Sequence, residues 1–204
     1  MQHFSEIAFQ HLQIQRNRTK VNIMLKGFIS YAHEDQNGCN KLLRQLKPLE
    51  RNGSISFWAD QSIEPGGQWK ERIMQALAEA DIALFLASPD MCYSDFIFDV
   101  ELPFALQRWK AGTLSVIPVI LRPCLWDTDQ VISLGQLQAV PERSRAISTF
   151  ASEDEGYYEA AQHIMKVVEQ KLASNSGRER PDNVTDLNTG SKPRADARTK
   201  LCSY

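Results

Sequence analysis

The chain is 204 residues long, with 43% hydrophobic residues, 24% charged residues and a formal net charge of −2, values that fit one ordinary globular domain with some spare chain. Four cysteines, Cys39, Cys92, Cys124 and Cys202, stand far apart with no CxxC and no Cys/His cluster, which argues against a metal site or a disulfide framework and fits a reducing, cytoplasmic compartment. No apolar run reaches the roughly 18 residues of a membrane span, the N-terminus lacks the apolar stretch of a secretory signal, and the charge balance gives no reason to expect nucleic acid.

Residues 1–24 carry three basic groups and one acidic group. They read as an N-terminal extension: either an optional segment ahead of Met24, or a short amphipathic helix built on Phe4, Ile7, Phe9, Leu12 and Ile14. Leu25 to Tyr31 is short and apolar and breaks into a polar loop, the signature of a buried strand. A helix is expected from Gly38 to Arg51, with Leu42, Leu43, Leu46 and Leu49 on one side and Asn52-Gly53 as its stop. Ser54 to Trp58 reads as a second strand. After the loop ADQSIEPGG, Trp69, Ile73, Ala76, Leu77 and Ala80 recur at helical spacing. Asp81 to Ala87 is a third strand, apolar on both faces, as parallel strands covered on both sides are. Ser88 to Ser94 reads as loop, and a helix is expected from Phe96 to Lys110, Pro103 notwithstanding. Leu114 to Leu121 is a fourth strand whose internal Pro118 points to an edge or a bulge. Ala146 to Phe150 reads as a short fifth strand, and a last helix spans Tyr157 to Leu172.

Residues 25–173 carry 14 basic and 20 acidic side chains, a net of −6. Residues 174–204 carry six basic and four acidic groups and almost no large apolar residues. They cannot bury enough surface to offset their ordering entropy, so a disordered tail is expected. Alternating strands and helices imply a mostly parallel five-stranded sheet with helices on both faces. Ligands of such folds sit outside the carboxyl ends of the strands. Three polar loops converge there: Ser30 to His33, Asp60 to Gly66, and Ser88 to Ser94.

Those loops carry a resemblance. Gly27-Phe28-Ile29-Ser30-Tyr31-Ala32-His33-Glu34-Asp35 is similar to the first box of Toll/interleukin-1 receptor (TIR) domains. Phe57-Trp58-Ala59-Asp60 with Ile63-Glu64-Pro65-Gly66 resembles the family's second strand and BB loop. Ala87-Ser88-Pro89-Asp90, then Ser94 and Glu101-Leu102, is similar to its glutamate-bearing helix. Val116 to Pro123 resembles strand D of bacterial members. The resemblance covers residues 25–173 and implies the TIR fold, a flavodoxin-like three-layer α/β architecture. It departs from the family at Ile97, where many members have tryptophan, and at Ser94, which lies one residue farther from the glutamate than in common receptor patterns.

The resemblance implies an NAD+ glycohydrolase or cyclase of prokaryotic antiviral defence, with NAD+ as substrate and no cofactor or metal. Glu101 takes the place of the catalytic glutamate. Nicotinamide leaves NAD+ as a neutral molecule, so no general acid is needed, and one carboxylate can stabilise oxocarbenium-like charge. Water attack gives ADP-ribose; attack by the adenine gives a cyclic product. Both outcomes stay open. Phe96, Ile97, Phe98, Val100, Leu102 and Phe104 set Glu101 in an apolar stretch, where a charge is expensive to keep.

Further substrate contacts carried over are Ser30, Tyr31, Ala32, His33, Asp60 and Glu64. His33 reads as either a general base or a solvated loop residue. Trp69 reads as core packing by its period with Ile73 and Leu77, or as a stacking surface for a ligand ring. Phe96 can stand in as an aromatic wall for the missing tryptophan. The family also implies self-association through the BB loop, and a separate sensor or effector chain as partner. A non-catalytic TIR–TIR adaptor is the alternative, although it would not require Glu101. A plain receiver domain fits poorly, because Phe28 to Tyr31 ends without the acidic pair that would bind Mg²⁺.

Overall fold

The computed structural model describes residues 24–59, 69–126, 137–142 and 145–176. Its elements in order are β1 (Leu25–Ser30), a 3₁₀ turn (His33–Asp35), α1 (Gln36–Arg51), β2 (Ile55–Ala59), α2 (Trp69–Glu79), β3 (Ile82–Ala87) and α3 (Pro89–Tyr93). A π turn (Ile97–Glu101) then runs into α4 (Leu102–Lys110), followed by β4 (Ser115–Ile120), a 3₁₀ turn (Ile147–Thr149) and α5 (Glu153–Ser176). The N-terminal extension and the tail expected beyond residue 176 lie outside the described residues.

Four parallel strands form one sheet in the order β2-β1-β3-β4. All six residues of β3 are buried, which explains its unbroken apolar run. Alternation along the strands feeds two cores. Phe28, Ala83, Phe85, Val116 and Ile120 pack with Ile73 and Leu77 of α2 and with Leu102, Ala105 and Leu106 of α4. Leu25, Ile29, Leu84, Leu86, Ile117 and Val119 pack with Leu42 and Leu46 of α1 and with Ile164 and Val168 of α5. The result is the expected three-layer α/β architecture.

Glycine is required where strands meet closely. A Cβ on Gly27 would lie 2.3 Å from Cδ1 of Phe57, its partner in the β1–β2 register. Glycine also ends two helices. Gly53 has φ 74° and Gly112 has φ 71°. Ser54 and Gly53 donate to the carbonyls of Leu49 and Glu50, and Thr113 and Gly112 to those of Arg108 and Trp109. These paired bonds satisfy carbonyls that the helix leaves open, and they need a left-handed residue at that position.

The fifth strand is corrected. Among the described residues the sheet has four strands, and Ala146 to Phe150 forms a 3₁₀ turn. Thr149 Oγ1 donates to the Ala146 carbonyl at 2.7 Å, a local bond that competes with a ladder. The outer edge of β4 is taken by Val140 instead: its N–H donates to the Pro118 carbonyl and its carbonyl accepts from Ile120, each at 2.8 Å. Pro118 thus turns its donor-less nitrogen to that outer edge, where it costs β3 no hydrogen bond. Two further differences bear on the site. Pro89–Tyr93 is a short helix rather than loop, with the Ser88 side chain accepting from the Met91 N–H as its N-cap. The helix expected from Phe96 to Lys110 opens with the π turn.

Candidate active site

The chain leaves β1 toward β2 on one side and has β3 on the other, so the strand order reverses at β1. Crevices at such points, outside the carboxyl ends of the strands, are where α/β sheets hold ligands. A cavity of about 590 Å³ opens there, within the range of small-ligand sites.

Its floor is aromatic. Phe28 and Trp58 stack with ring centroids 5.5 Å apart and planes 9° from parallel. Trp69 at the start of α2 meets Phe96 edge-on, with centroids 4.8 Å apart and an angle of 66°. Lys70 Nζ stands 5.4 Å and 5.5 Å from the centres of the Trp69 and Phe96 rings, within cation–π reach. All four aromatic residues line the cavity.

Two buried polar side chains line it as well. Ser30, at the end of β1, is 3% exposed, and its Oγ has no hydrogen-bond partner among the described residues. Glu101, at the end of the π turn, is 4% exposed although Asp99 and Val100 beside it are exposed. The π turn is the local cause. The Leu102 N–H donates to the Ile97 carbonyl five residues back. One residue added to an α-helix turns everything beyond it by about 100°, and a π turn absorbs the addition. The longer Ser94–Glu101 spacing is thereby accommodated. Pro103 supports it, since proline clashes with the carbonyl four residues back in a regular α-helix.

The cavity brings together Ser30, Tyr31, Ala32, His33, Trp69, Phe96 and Glu101. Asp60 and Glu64 lie outside the described residues. Ala32 is buried, whereas His33 is exposed on the rim. Trp69 packs against the core and also lines the cavity. Glu34, Asp90 and Glu101 also line the cavity, with Asp90 ion-paired to Arg122.

The sequence did not single out the groups that hold the rim. Arg122, two residues beyond β4, donates from Nη2 to Asp35 Oδ1 at 2.7 Å and to Asp90 Oδ2. The Ser88 hydroxyl donates to Asp35 Oδ2. The carboxylates of Asp90 and Asp35 hold the Arg122 guanidinium above its usual range, so it stays charged. Ser88 directly follows β3, and Arg122 and Asp90 lie two and three residues beyond β4 and β3; that position was the available signal. The neighbouring Cys92 and Cys124 thiols are pushed up by burial, Cys124 to about 12, and neither is an ionised nucleophile near neutrality. Among the described residues, no group of three or more His, Cys, Asp or Glu side chains converges to hold a metal ion. No described helix is long and apolar enough to cross a membrane.

Residues 28–158 match the TIR domain family. The chain belongs to that family. This TIR domain is similar to the uncharacterized protein y4lF of Sinorhizobium fredii (strain NBRC 101917 / NGR234), with 34% identity over 137 residues. The match covers 67% of this chain and 42% of y4lF, so the chain spans about two fifths of that curated relative. The TIR domains in the activated Roq1 resistosome, a structure directly recognizing the pathogen effector XopQ, are similar at a TM-score of 0.40 and 18% identity. That similarity covers 74% of this chain and 98% of the other.

Proposed function

We propose that this TIR domain cleaves the bond between nicotinamide and ribose in NAD+. The observation that carries the reading is the burial of Glu101 in an aromatic-lined cavity at the sheet's switch point, in a chain of the TIR family. In the proposed step the bond between ribose C1′ and the pyridinium nitrogen breaks, and its electron pair goes to that nitrogen. Nicotinamide leaves neutral. The Glu101 carboxylate stabilises the positive charge that develops on the ribose. Water then bonds to C1′ and releases a proton, giving ADP-ribose; the adenine can attack instead and give a cyclic product. Trp69 and Phe96 offer ring faces and edges to the pyridinium or the adenine. The Ser30 hydroxyl is suited to a ribose hydroxyl, because a buried polar group of this kind gains most from a partner that a ligand supplies.

The proposed setting is a bacterial defence response in the cytoplasm, switched on by self-assembly through the BB loop under a separate sensor or effector chain. The test is to incubate the purified chain with NAD+ over a range of protein concentrations. Nicotinamide, ADP-ribose and cyclic product are then separated by chromatography. Release that rises more steeply than protein concentration supports both cleavage and assembly. No release in any assembled state sinks the enzyme reading and leaves the adaptor. The adaptor reading has one observation of its own: Tyr93 and Leu125 are 89% and 74% exposed, a display of apolar surface that a partner could cover.

A further inference from the structure

We propose that Arg122 is a positioning residue of the Glu101 cavity, clamping its two lips at a fixed separation. The inference rests on reading that cavity as the NAD+ site. One lip is the segment after β1, where Ala32, His33 and Glu34 line the cavity and Asp35 closes the 3₁₀ turn. The other is α3 and its C-terminal end, where Asp90, Tyr93 and Ser94 line it. Arg122 does not line the cavity itself. It reaches both lips from the end of β4, through Asp35 Oδ1 at 2.7 Å and through Asp90.

Each lip is anchored at one point, Ala32 and Met91 being buried in the core and the 3₁₀ turn running on into α1, while their exposed residues His33, Glu34 and Tyr93 face the opening. A 3₁₀ turn of three residues and a helix of five are too short to be stable alone. The Asp35 carboxylate is buried and accepts a second bond from Ser88, whose oxygen accepts the Met91 N–H at 3.0 Å. Both lips therefore converge on one guanidinium. Arginine suits the place because its planar fork is pre-organised and always charged. The two halves differ in cost. Removing Arg122 leaves the buried Asp35 charge without its cation, which is expensive. Asp90 is partly exposed, so its half can be broken at lower cost. Glu101 rides on the π turn, which Arg122 does not touch. The clamp should accordingly set how well substrate is held, and leave the bond-breaking step alone.

The test uses the full chain with Arg122→Met, Arg122→Lys and Asp90→Asn. Asp90→Asn keeps the Arg122–Asp35 pair and so remains informative if Arg122→Met does not fold. Two measurements are made: backbone hydrogen exchange at residues 32–35 and 89–94, and steady-state nicotinamide release from NAD+. The clamp predicts exchange about threefold faster at residues 89–94 in Asp90→Asn, as loss of a half-exposed ion pair gives, and about tenfold faster at both lips in Arg122→Met, where the buried Asp35 also loses its partner. It predicts KM up about tenfold with kcat within about twofold, and only partial recovery in Arg122→Lys, which keeps the charge and loses the planar geometry. Unchanged exchange at the lips overturns the clamp. So does a KM increase in Asp90→Asn without faster exchange, which would make Asp90 a direct substrate contact, or a loss confined to kcat. If the unaltered chain releases no nicotinamide, the NAD+ reading fails, and the exchange measurement still decides the clamp.

Discussion

Phe28 and Trp58 are partners in the β1–β2 register, and their rings stack 5.5 Å apart on the cavity floor. One contact therefore serves both the sheet and the site. Trp58→Ala removes a half-buried ring together with its stacking partner's contact. The expected cost is about 2–3 kcal/mol of stability, below the 3–5 of a fully buried aromatic. Urea unfolding measures the loss. Trp58→Phe should restore most of it, together with NAD+ turnover.

Gly27 offers a second check on the same strand pair. Gly27→Ala puts a methyl group 2.3 Å from the Phe57 ring, and the overlap should cost about 1–3 kcal/mol. The clash needs both side chains. In Gly27→Ala/Phe57→Ala the two losses should add to less than their sum, as contacting residues do. Thermal melts of the two single variants and the double variant close the cycle.

Alkaline pH should unfold the domain through groups that burial keeps protonated. Burial pushes the Cys39 thiol and the Tyr157 hydroxyl each up to about 12, with the Glu153 charge adding to the effect on Tyr157. The ordinary values are 9.0 for the thiol and 10.0 for the hydroxyl. Between those values and about 12 the unfolded chain has released a proton that the folded chain retains, so stability falls as pH rises through that window. Below pH about 9 the contribution is fully present. Tyr157→Phe removes one such proton. Its stability should fall less steeply between pH 10 and 12, by on the order of 2 kcal/mol across the window. Urea midpoints at pH 8.5 and pH 11 give the comparison.

Strand β3 and the stop of α1 at Asn52-Gly53 were legible because each rests on local pattern: six buried apolar residues in one case, a left-handed glycine in the other. The false fifth strand shows the limit of that pattern. Ile147, Thr149 and Phe150 have strand-forming side chains, yet the Thr149 hydroxyl closes a local turn and Val140 takes the edge of β4. The π turn left two traces in the sequence, Pro103 within a helical pattern and the longer Ser94–Glu101 spacing. Arg122 and Asp35 left less, because 87 residues separate them and only the fold brings them together. Glu101 and six of its expected companions line one cavity because they follow strand ends or sit on the helix that faces them. Their roles came from the family resemblance, since periodicity alone describes Trp69 equally well as core.

The central claim is that Glu101 carries the chemistry, and the measurement that tests it most directly is nicotinamide release by Glu101→Gln beside the unaltered chain. Glutamine keeps the size of the side chain and removes its charge. The account predicts release by the unaltered chain and a rate at least about a hundredfold lower in Glu101→Gln, the scale on which loss of a transition-state charge stabiliser is felt, with its circular dichroism and melting profile retained. Full activity in Glu101→Gln would contradict the account.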